Sequence, residues 1–241
     1  MHLLIDMGNT RLKWALLDQN TITNSTAIAN QDLSLAYLRQ QWHALPAPEA
    51  MLIACVSQPA LLQKVITAAT ELWPGLTVIK ATAQADAYGV QNAYIHPEKL
   101  GVDRWLAMLA VRHYYPSAAC IADCGTAITI DVLDQHGKHQ GGMISPGLRL
   151  MKQALALGTE ALDFYDSPAV TGLAAHTEAA IISGTLTAAT GLITLVLSQQ
   201  ANTPLIMTGG DAAVIARHLS VHAIIDPDLV LRGLAVLALK Q

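Results

Sequence analysis

The chain has 241 residues and a formal net charge of −4. This length is sufficient for one large domain or two lobes, with a core that can support a catalytic cleft. No run of Lys or Arg occurs, so the electrostatic attraction on which nucleic-acid binding depends is missing. We therefore expect neither DNA nor RNA as a partner.

The first half of the chain predicts three strands, a helix, a strand, a second helix and a further strand. Apolar runs indicate the strands, and apolar residues at helical spacing indicate the helices. The second helix is indicated by Ser57, a good helix cap, and by Pro59, a good first-turn residue. The predicted strands cover residues 2–5, 12–17, 21–29, 50–57 and 76–81, and the first helix covers 32–45.

The second half repeats this order after a predicted helix at residues 102–115. Its second strand alternates Ile128, Ile130 and Val132 with Thr129 and Asp131, the pattern of a half-buried strand. The alternation alone explains a polar residue at position 131, so we leave it out of the candidate site. The predicted strands cover residues 118–122, 128–133, 138–145, 205–208 and 223–225, and the helices cover 148–157, 177–197, 211–219 and 227–239.

The repeated order of elements predicts an α/β protein of two duplicated lobes, each with a mixed sheet flanked by helices. We place the N-terminal lobe at residues 1–95 and the C-terminal lobe at residues 96–241, with the junction within residues 82–101. Two such lobes packed around a pseudo-twofold axis would form a cleft between them.

One segment, residues 179–210, contains no charged residue and raises the alternative of a membrane-embedded helix. Serine, threonine and glycine residues interrupt it, and Gln199, Gln200 and Asn202 follow within it. We interpret the segment as a buried helix followed by a buried strand, and expect no membrane partner.

The three cysteines, Cys55, Cys120 and Cys124, lie in or beside apolar runs. An odd number of such residues is typical of buried thiols in a reducing cytosol rather than of a disulfide framework. No second Cys or His pair stands at zinc spacing. The N-terminal apolar run is too short for a signal peptide, so we expect a cytoplasmic protein.

A loop motif occurs once in each predicted lobe. In both copies an acid ends a buried strand, a glycine stands two residues later, and hydroxyl or amide side chains follow. The glycine lets backbone N–H groups approach an anion closely, and the acid can hold a cation against phosphates. One such loop is ordinary turn chemistry, but two copies in the same order of elements indicate a duplicated phosphate site. The copies are Asp6, Gly8, Asn9 and Thr10, and Asp123, Gly125, Thr126 and Thr129.

Other catalytic signatures are absent from the sequence. It contains no GxxxxGK[ST], GxGxxG or HExxH motif, which disfavours P-loop, Rossmann and zincin interpretations. The stretch GGMISPG, residues 141–147, is similar to a nucleophile elbow but has the wrong spacing around Ser145. We favour the alternative that this stretch is a strand and turn leading into the next helix, with Pro146 ending the strand.

Five motifs in order resemble the type III pantothenate kinases, members of the actin-like and sugar-kinase ATPase superfamily. They are DMGNT, YIHPEKLGVDR, DCGTAITID, GGMISPGL and TEAAIISG, which run from residue 6 to about residue 184. The later IMTGGD resembles the superfamily's nucleotide-side glycine turn, whereas residues 21–90 carry no family motif. The resemblance implies ribonuclease H-like lobes and transfer of the ATP γ-phosphoryl group to pantothenate, the first step of coenzyme A biosynthesis.

The resemblance implies ATP and magnesium as cofactors, together with potassium or ammonium. Asp6 would face the magnesium ion, and Lys13 would add positive charge near the phosphates. Asp123 would coordinate the monovalent cation. The implied ATP-binding residues are Asp6, Met7, Gly8, Asn9, Thr10, Arg11, Leu12, Lys13 and Thr126.

The resemblance also assigns the pantothenate side of the site. Asp103 would be the general base, and Arg104 would hold pantothenate. Thr177 would reach pantothenate across the interface of a homodimer. The implied substrate-binding residues are Tyr94, Gly101, Val102, Asp103, Arg104 and Thr177.

Each of these side chains also has an ordinary structural interpretation. Asp103 stands near a helix start, where an acid favours the helix dipole by about 0.3–1 kcal/mol. Arg104 is compatible with a solvated helix position, Thr177 with a helix cap, and Tyr94 with a residue that closes a loop.

Two alternative functions stay open at the level of sequence. A sugar or carboxylate kinase of the superfamily would share both glycine loops but not the residues from Tyr94 to Arg104. A regulatory relative would keep the fold without catalysis, although the acids and Arg104 of the candidate site are intact.

Overall fold

The computed structural model describes residues 1–115, 117–158, 172–200 and 202–239. The strands in chain order are β1 (His2–Met7), β2 (Arg11–Asp18), β3 (Thr21–Ala29), β4 (Ala50–Cys55), β5 (Thr77–Lys80), β6 (Asp86–Ala87), β7 (Val90–Gln91), β8 (Ala119–Cys124), β9 (Ala127–Leu133), β10 (His139–Pro146), β11 (Leu205–Thr208) and β12 (Ala223–Ile225). The helices are α1 (Leu35–Trp42), α2 (Pro59–Leu72), α3 (Val102–Tyr114), α4 (Leu148–Gly158), α5 (Thr177–Ser198), α6 (Ala212–Ala216) and α7 (Leu229–Ala238).

The described chain forms two compact units that contain matching five-stranded sheets. The first sheet has the order β3-β2-β1-β4-β5, and the second has the order β10-β9-β8-β11-β12. In each sheet the central strand is antiparallel to the second strand of its unit and parallel to the fourth. The predicted duplication into α/β lobes with mixed sheets is therefore confirmed.

The first unit comprises Met1–Tyr115 together with Asp228–Gln241. Helices α1 and α2 cover one face of its sheet, where Trp42 packs edge-on against Trp14, with ring centroids 6.1 Å apart, and stacks on Trp73 at 6.2 Å. These aromatic pairs add to the burial of large apolar surfaces in this core.

Helix α7 packs against α3 and β1 of the first unit, although it comes from the C-terminal end of the chain. Gly233 makes this packing close, since a Cβ there would stand 2.2 Å from the backbone oxygen of Leu106 in α3. The predicted lobes at 1–95 and 96–241 placed both helices in the second lobe. The structure instead groups α3 and α7 with the first sheet, because the chain returns there at its end.

The second unit comprises Pro116–Pro227. Its core joins one face of the sheet to buried residues of α5, among them Leu186, Ala189 and Ile193. Among the described helices, α5 alone is long and apolar enough to cross a membrane, and four of its buried side chains lie in this core, namely those of Leu186, Ala189, Ile193 and Val196. The predicted buried strand is confirmed by β11, whereas the predicted buried helix, α5, is only partly buried, with eight of its 22 residues buried.

Most predicted elements agree with the structure to within a few residues, and the exceptions are two helix caps and one short hairpin. Helix α2 begins at Pro59 as predicted, but its N-cap is Gln58, without a side-chain cap hydrogen bond, rather than Ser57. Helix α5 is capped by His176, whose Nδ1 accepts a hydrogen bond from the N–H of Ala179, so the alternative of Thr177 as the cap is wrong. The short hairpin β6–β7 had no counterpart in the prediction.

Asp131 and His139 form a buried pair in the second unit. Asp131 is 2% exposed and His139 is 1% exposed, and Nε2 of His139 lies 2.9 Å from Oδ1 of Asp131. Alternation along β9 had indicated a polar residue of a half-buried strand, and that interpretation of Asp131 is wrong. A buried carboxylate requires polar partners, because burial without them is costly.

Replacing His139 with alanine is expected to lower the free energy of unfolding by about 3 kcal/mol, because it breaks a buried polar pair. His136→Ala, at an exposed position of the same β9–β10 hairpin, is the control, with an expected change within about 0.5 kcal/mol. Urea unfolding of both variants measures the difference. Equal effects of the two substitutions would contradict a stabilising role for the pair.

Candidate functional site

The first glycine loop connects β1 to β2. Asp6 is half-buried near the end of β1 and stands directly opposite Lys13 in the antiparallel pair, which places the two side chains on one face of the sheet. The loop closes through a hydrogen bond of 3.0 Å from the N–H of Gly8 to the backbone oxygen of Arg11. The side chains at positions 9, 10 and 11 are exposed. The loop therefore presents polar groups next to a carboxylate and an ammonium group.

Two of the predicted ATP-binding residues, Met7 and Leu12, have fully buried side chains. They are paired with each other in the register of β1 and β2 and belong to the core of the first unit. Only their backbone atoms are in a position to contact a ligand at this loop.

The second glycine loop connects β8 to β9 in the same manner. Asp123 is half-buried one residue before the end of β8, and the N–H of Gly125 donates a hydrogen bond of 3.0 Å to the backbone oxygen of Ala127. Thr126 is exposed at the tip of the loop. This loop is one residue shorter than the first, since Asp123 is paired with Thr129 whereas Asp6 is paired with Lys13.

Gly147 supports the second loop from the start of α4. Its N–H donates a hydrogen bond of 2.9 Å to the backbone oxygen of Thr126, and a Cβ at this position would stand 2.1 Å from the oxygen of Gly125. The GGMISPG stretch is therefore a strand and turn, as favoured from the sequence, and β10 ends at Pro146. Its final glycine has a role that the sequence did not reveal, namely close packing against the loop.

Gly209 lies on the turn that follows β11. It has φ +92°, and a Cβ would stand 2.5 Å from both Oδ1 of Asp123 and the backbone oxygen of Cys124. The same oxygen of Cys124 accepts a hydrogen bond of 2.9 Å from the N–H of Asp211. The glycine turn resembling the superfamily's nucleotide-side turn thus packs directly on the carboxylate of the second loop.

The thiol of Cys124, the residue after Asp123, is held in its neutral form. Burial, followed by the negative charges of Asp123 and Asp211, raises the pKa of Cys124 to about 12. Burial and the charge of Asp131 likewise raise the pKa of Cys120 to about 12. Since the thiolate is the reactive and metal-binding form, these two cysteines are structural at neutral pH.

The predicted pantothenate residues from Tyr94 to Arg104 come together at the N-terminus of α3. Arg104 is only 5% exposed, so the alternative of a solvated helix residue is wrong. Its Nη1 donates a hydrogen bond of 2.8 Å to the hydroxyl of Tyr94, and its Cζ lies 5.6 Å from the centroid of the Tyr94 ring. Tyr94 is therefore more than a residue that closes a loop, because it orients the guanidinium.

Asp103 lies in the first turn of α3, beside Gly101 at the N-cap and Val102 at the first helical position. Its Oδ1 accepts a hydrogen bond of 2.8 Å from the N–H of Arg104. The same oxygen would be 2.6 Å from a Cβ at position 101, so the carboxylate occupies space that only a glycine leaves open. Thr177 is exposed at the first turn of α5, in the second unit.

The donor set fits a magnesium ion bound chiefly by phosphates rather than by protein. Among the described residues, no group of three or more His, Cys, Asp and Glu side chains is arranged to hold a metal ion. In kinases, Mg²⁺ is commonly bound by one or two carboxylates together with substrate phosphates and water. The single carboxylate of Asp6, beside the first glycine loop, matches that chemistry.

Comparison with known families decides where this chain belongs. A family model described as type III pantothenate kinase matches residues 2–199. The chain belongs to the type III pantothenate kinase family. It is 37% identical to the type III pantothenate kinase of Nitrosococcus oceani over 250 residues, which cover 99% of this chain and 94% of that protein. Family membership implies ATP and a divalent metal ion, and it agrees with the resemblance found in the motifs.

Solved structures of other proteins share this fold. A conserved Campylobacter jejuni protein assigned as a Baf family transcriptional activator aligns with a TM-score of 0.63 at 22% identity, covering 99% of this chain and 98% of that one. A Sinorhizobium meliloti protein assigned as a 2-dehydro-3-deoxygalactonokinase aligns with a TM-score of 0.60 at 14% identity, covering 99% of both chains. At these identities the likeness concerns the fold alone.

Gly101→Ala is expected to lower kcat by about 10- to 100-fold, because small displacements of a general base, the role that the resemblance implies for Asp103, are this costly. The backbone at φ −54° and ψ 132° accepts alanine, but the new methyl group would displace the Asp103 carboxylate from its place beside the N–H of Arg104. The melting temperature is therefore expected to change little while steady-state turnover falls.

The matched control for Gly101→Ala is Gly191→Ala, at an exposed position of α5 where a Cβ meets no atom within 4 Å. Turnover of this control should equal that of the unmodified protein. A Gly101→Ala enzyme with kcat within two-fold of the unmodified protein would show that the carboxylate does not need this space.

Proposed function

We propose that this protein transfers the γ-phosphoryl group of ATP to the terminal hydroxyl of pantothenate, giving 4′-phosphopantothenate in the first step of coenzyme A biosynthesis. The observation that carries the proposal is the constellation at the start of α3 in a chain of this family. There, a buried guanidinium is oriented by a tyrosine hydroxyl and is adjacent in sequence to a carboxylate. This constellation is the part of the site that a general sugar kinase does not need.

Arg104 is proposed to bind pantothenate. A guanidinium offers a planar set of N–H donors that matches carboxylate and amide oxygens, and pantothenate carries both kinds of group. Burial of Arg104 and its hydrogen bond to Tyr94 restrict the side chain to one orientation. Less conformational freedom is then lost when the substrate binds.

Asp103 is proposed to be the general base. Its position in the first turn of α3 favours the ionised carboxylate through the helix dipole, by about 0.3–1 kcal/mol. The hydrogen bond from the N–H of Arg104 fixes the direction of the carboxylate relative to the substrate-binding guanidinium. The carboxylate would accept the proton of the pantothenate hydroxyl as the oxygen attacks the γ-phosphorus.

The two glycine loops are proposed to bind the ATP phosphates. Backbone N–H groups, the hydroxyls of Thr10 and Thr126, and the ammonium group of Lys13 are suitable partners for phosphate oxygens. Bound Mg²⁺ would neutralise phosphate charge, with Asp6 as its protein-side carboxylate. On the resemblance to the family, we assign Asp123, whose carboxylate lies against the glycine turn after β11, to a monovalent cation, either potassium or ammonium.

We also propose that the protein is a cytoplasmic homodimer in which Thr177 reaches the pantothenate of the partner. Exposed apolar side chains on the end of β10 and on α4 support an interface: Met143, Ile144, Leu150, Leu155 and Leu157. Sedimentation velocity at micromolar concentration should give twice the monomer mass, and Ile144→Glu should shift the protein toward the monomer. A purely monomeric unmodified protein would contradict the dimer.

Asp103→Asn is expected to retain ATP binding and to lose turnover by about 10²- to 10⁴-fold, the usual contribution of a general base. Asp18→Asn, which removes an exposed acid at the end of β2, is the matched control and should leave turnover unchanged. Mass spectrometry detects 4′-phosphopantothenate after incubation with ATP, magnesium and pantothenate, with and without potassium or ammonium.

The possible outcomes of this assay separate the alternatives. Unchanged turnover in Asp103→Asn would remove Asp103 from the role of base while leaving the reaction intact. Absence of product from the unmodified protein in every salt would favour a regulatory relative that keeps the fold without catalysis.

A further inference from the structure

Two asparagines of the first unit lie outside the predicted ligand-binding set. One hydrogen-bonds to the first glycine loop, and the other hydrogen-bonds to the segment that carries Tyr94. We propose that Asn30 is a positioning residue for the ATP loop and that Asn92 is a positioning residue for the pantothenate segment. The assignment rests on the proposed function. Neither asparagine belongs to a motif identified in the sequence.

Asn30 holds both ends of the first glycine loop. It follows β3 directly and begins a 3₁₀ turn, Asn30–Asp32. Its side-chain Nδ2 donates a hydrogen bond of 2.9 Å to the backbone oxygen of Gly8, and its backbone N–H donates one of 2.8 Å to the oxygen of Thr10. One residue therefore binds the carbonyl groups at the first and last positions of the loop.

These contacts determine where the loop directs its donors. In a planar trans peptide the C=O and the following N–H point in opposite directions. Since the oxygen of Gly8 points at the side chain of Asn30, the N–H of Asn9 must point away from Asn30. A phosphate-binding loop works only if such N–H groups keep their direction, so loss of the Asn30 amide should weaken nucleotide binding.

The side chain of Asn30 is enclosed as well as hydrogen-bonded. Its Oδ1 is buried and has no hydrogen-bond partner among the described residues. A buried amide oxygen without a partner is unfavourable, so the residue is poorly explained by its own contribution to stability. The hydrogen bond that Nδ2 makes to the loop is the interaction that distinguishes asparagine from a small apolar residue here.

Asn92 organises the segment that carries Tyr94. Its Oδ1 accepts a hydrogen bond of 3.0 Å from the N–H of Tyr94, and its Nδ2 donates to the oxygens of Gln84 at 3.1 Å and Pro97 at 3.4 Å. Its own N–H donates to the oxygen of Ala85 at 2.8 Å. The amide thus ties together residues before and after the tyrosine.

The effect of Asn92 on the site passes through Tyr94. The hydroxyl of Tyr94 accepts the 2.8 Å hydrogen bond from Arg104, so a displaced tyrosine backbone removes the group that orients the guanidinium. Both the donor and the acceptor of the Asn92 amide are used. Aspartate at this position would keep the acceptor for Tyr94 but would lose the donor to Gln84 and Pro97.

The test measures whether substitution of each asparagine raises KM for one substrate and leaves KM for the other unchanged. Asn30→Ala is expected to raise KM for ATP by up to roughly tenfold, which corresponds to the loss of one hydrogen bond, while KM for pantothenate stays within two-fold. Asn92→Ala is expected to raise KM for pantothenate roughly tenfold and to leave KM for ATP within two-fold. Asn30→Ser and Asn92→Asp test the same contacts if an alanine variant does not fold.

The controls are the exposed neighbours Gln31→Ala and Gln91→Ala, which should leave both KM values unchanged. Calorimetric titration with ATP gives a second readout, in which only the Asn30 variants should bind more weakly. Equal increases of both KM values in either asparagine variant, or a lowered melting temperature without any change in KM, would overturn the positioning roles.

Failure of the proposed function gives a different result from failure of this inference. If the unmodified protein forms no 4′-phosphopantothenate, the proposed reaction is wrong, and the ATP titration still decides the role of Asn30. If the unmodified protein is active and each variant changes KM for ATP and KM for pantothenate equally, or changes neither, the positioning roles alone are wrong.

Discussion

A central strand that is antiparallel to one neighbour and parallel to the other determines where chemistry can occur in each sheet. The antiparallel partner is reached by a tight loop at the carboxyl end of the strand, whereas a parallel partner must start from the opposite end. This geometry places an acid, a glycine and exposed polar residues together at the carboxyl end of β1, and likewise at the carboxyl end of β8. The loops around Asp6 and Asp123, which we propose to bind nucleotide, depend on this arrangement.

Close approach of backbone and carboxylate oxygens is the second constraint on the site. Glycines at positions 101, 147 and 209 each stand where a Cβ would overlap an oxygen atom of Asp103, Gly125 or Asp123. The missing side chains are therefore as necessary as the charged ones that are present. At Gly101 this close approach explains the glycine although the backbone dihedral angles there are ordinary.

Periodicity revealed the elements of this chain but not the depth of burial of each residue. Alternation along β9 identified correctly which side chains share a face, yet Asp131 is buried with His139 rather than half-exposed. A period-two pattern reports the direction of a side chain and contains no information on whether its face is covered. The sequence likewise left Arg104 compatible with a solvated helix position, although it is buried against Tyr94.

The sequence by itself determined the duplicated order of strands and helices, the two glycine loops and the family, because these depend on short-range patterns and on motif spacing. Tertiary structure decided that α7 packs with the first sheet, that Gly147 supports the second loop and that Asn30 holds the first. Each of these contacts joins residues about 20 or more positions apart and uses ordinary residue types. Such contacts leave no local pattern, since only the folded chain brings their atoms within hydrogen-bonding or packing distance.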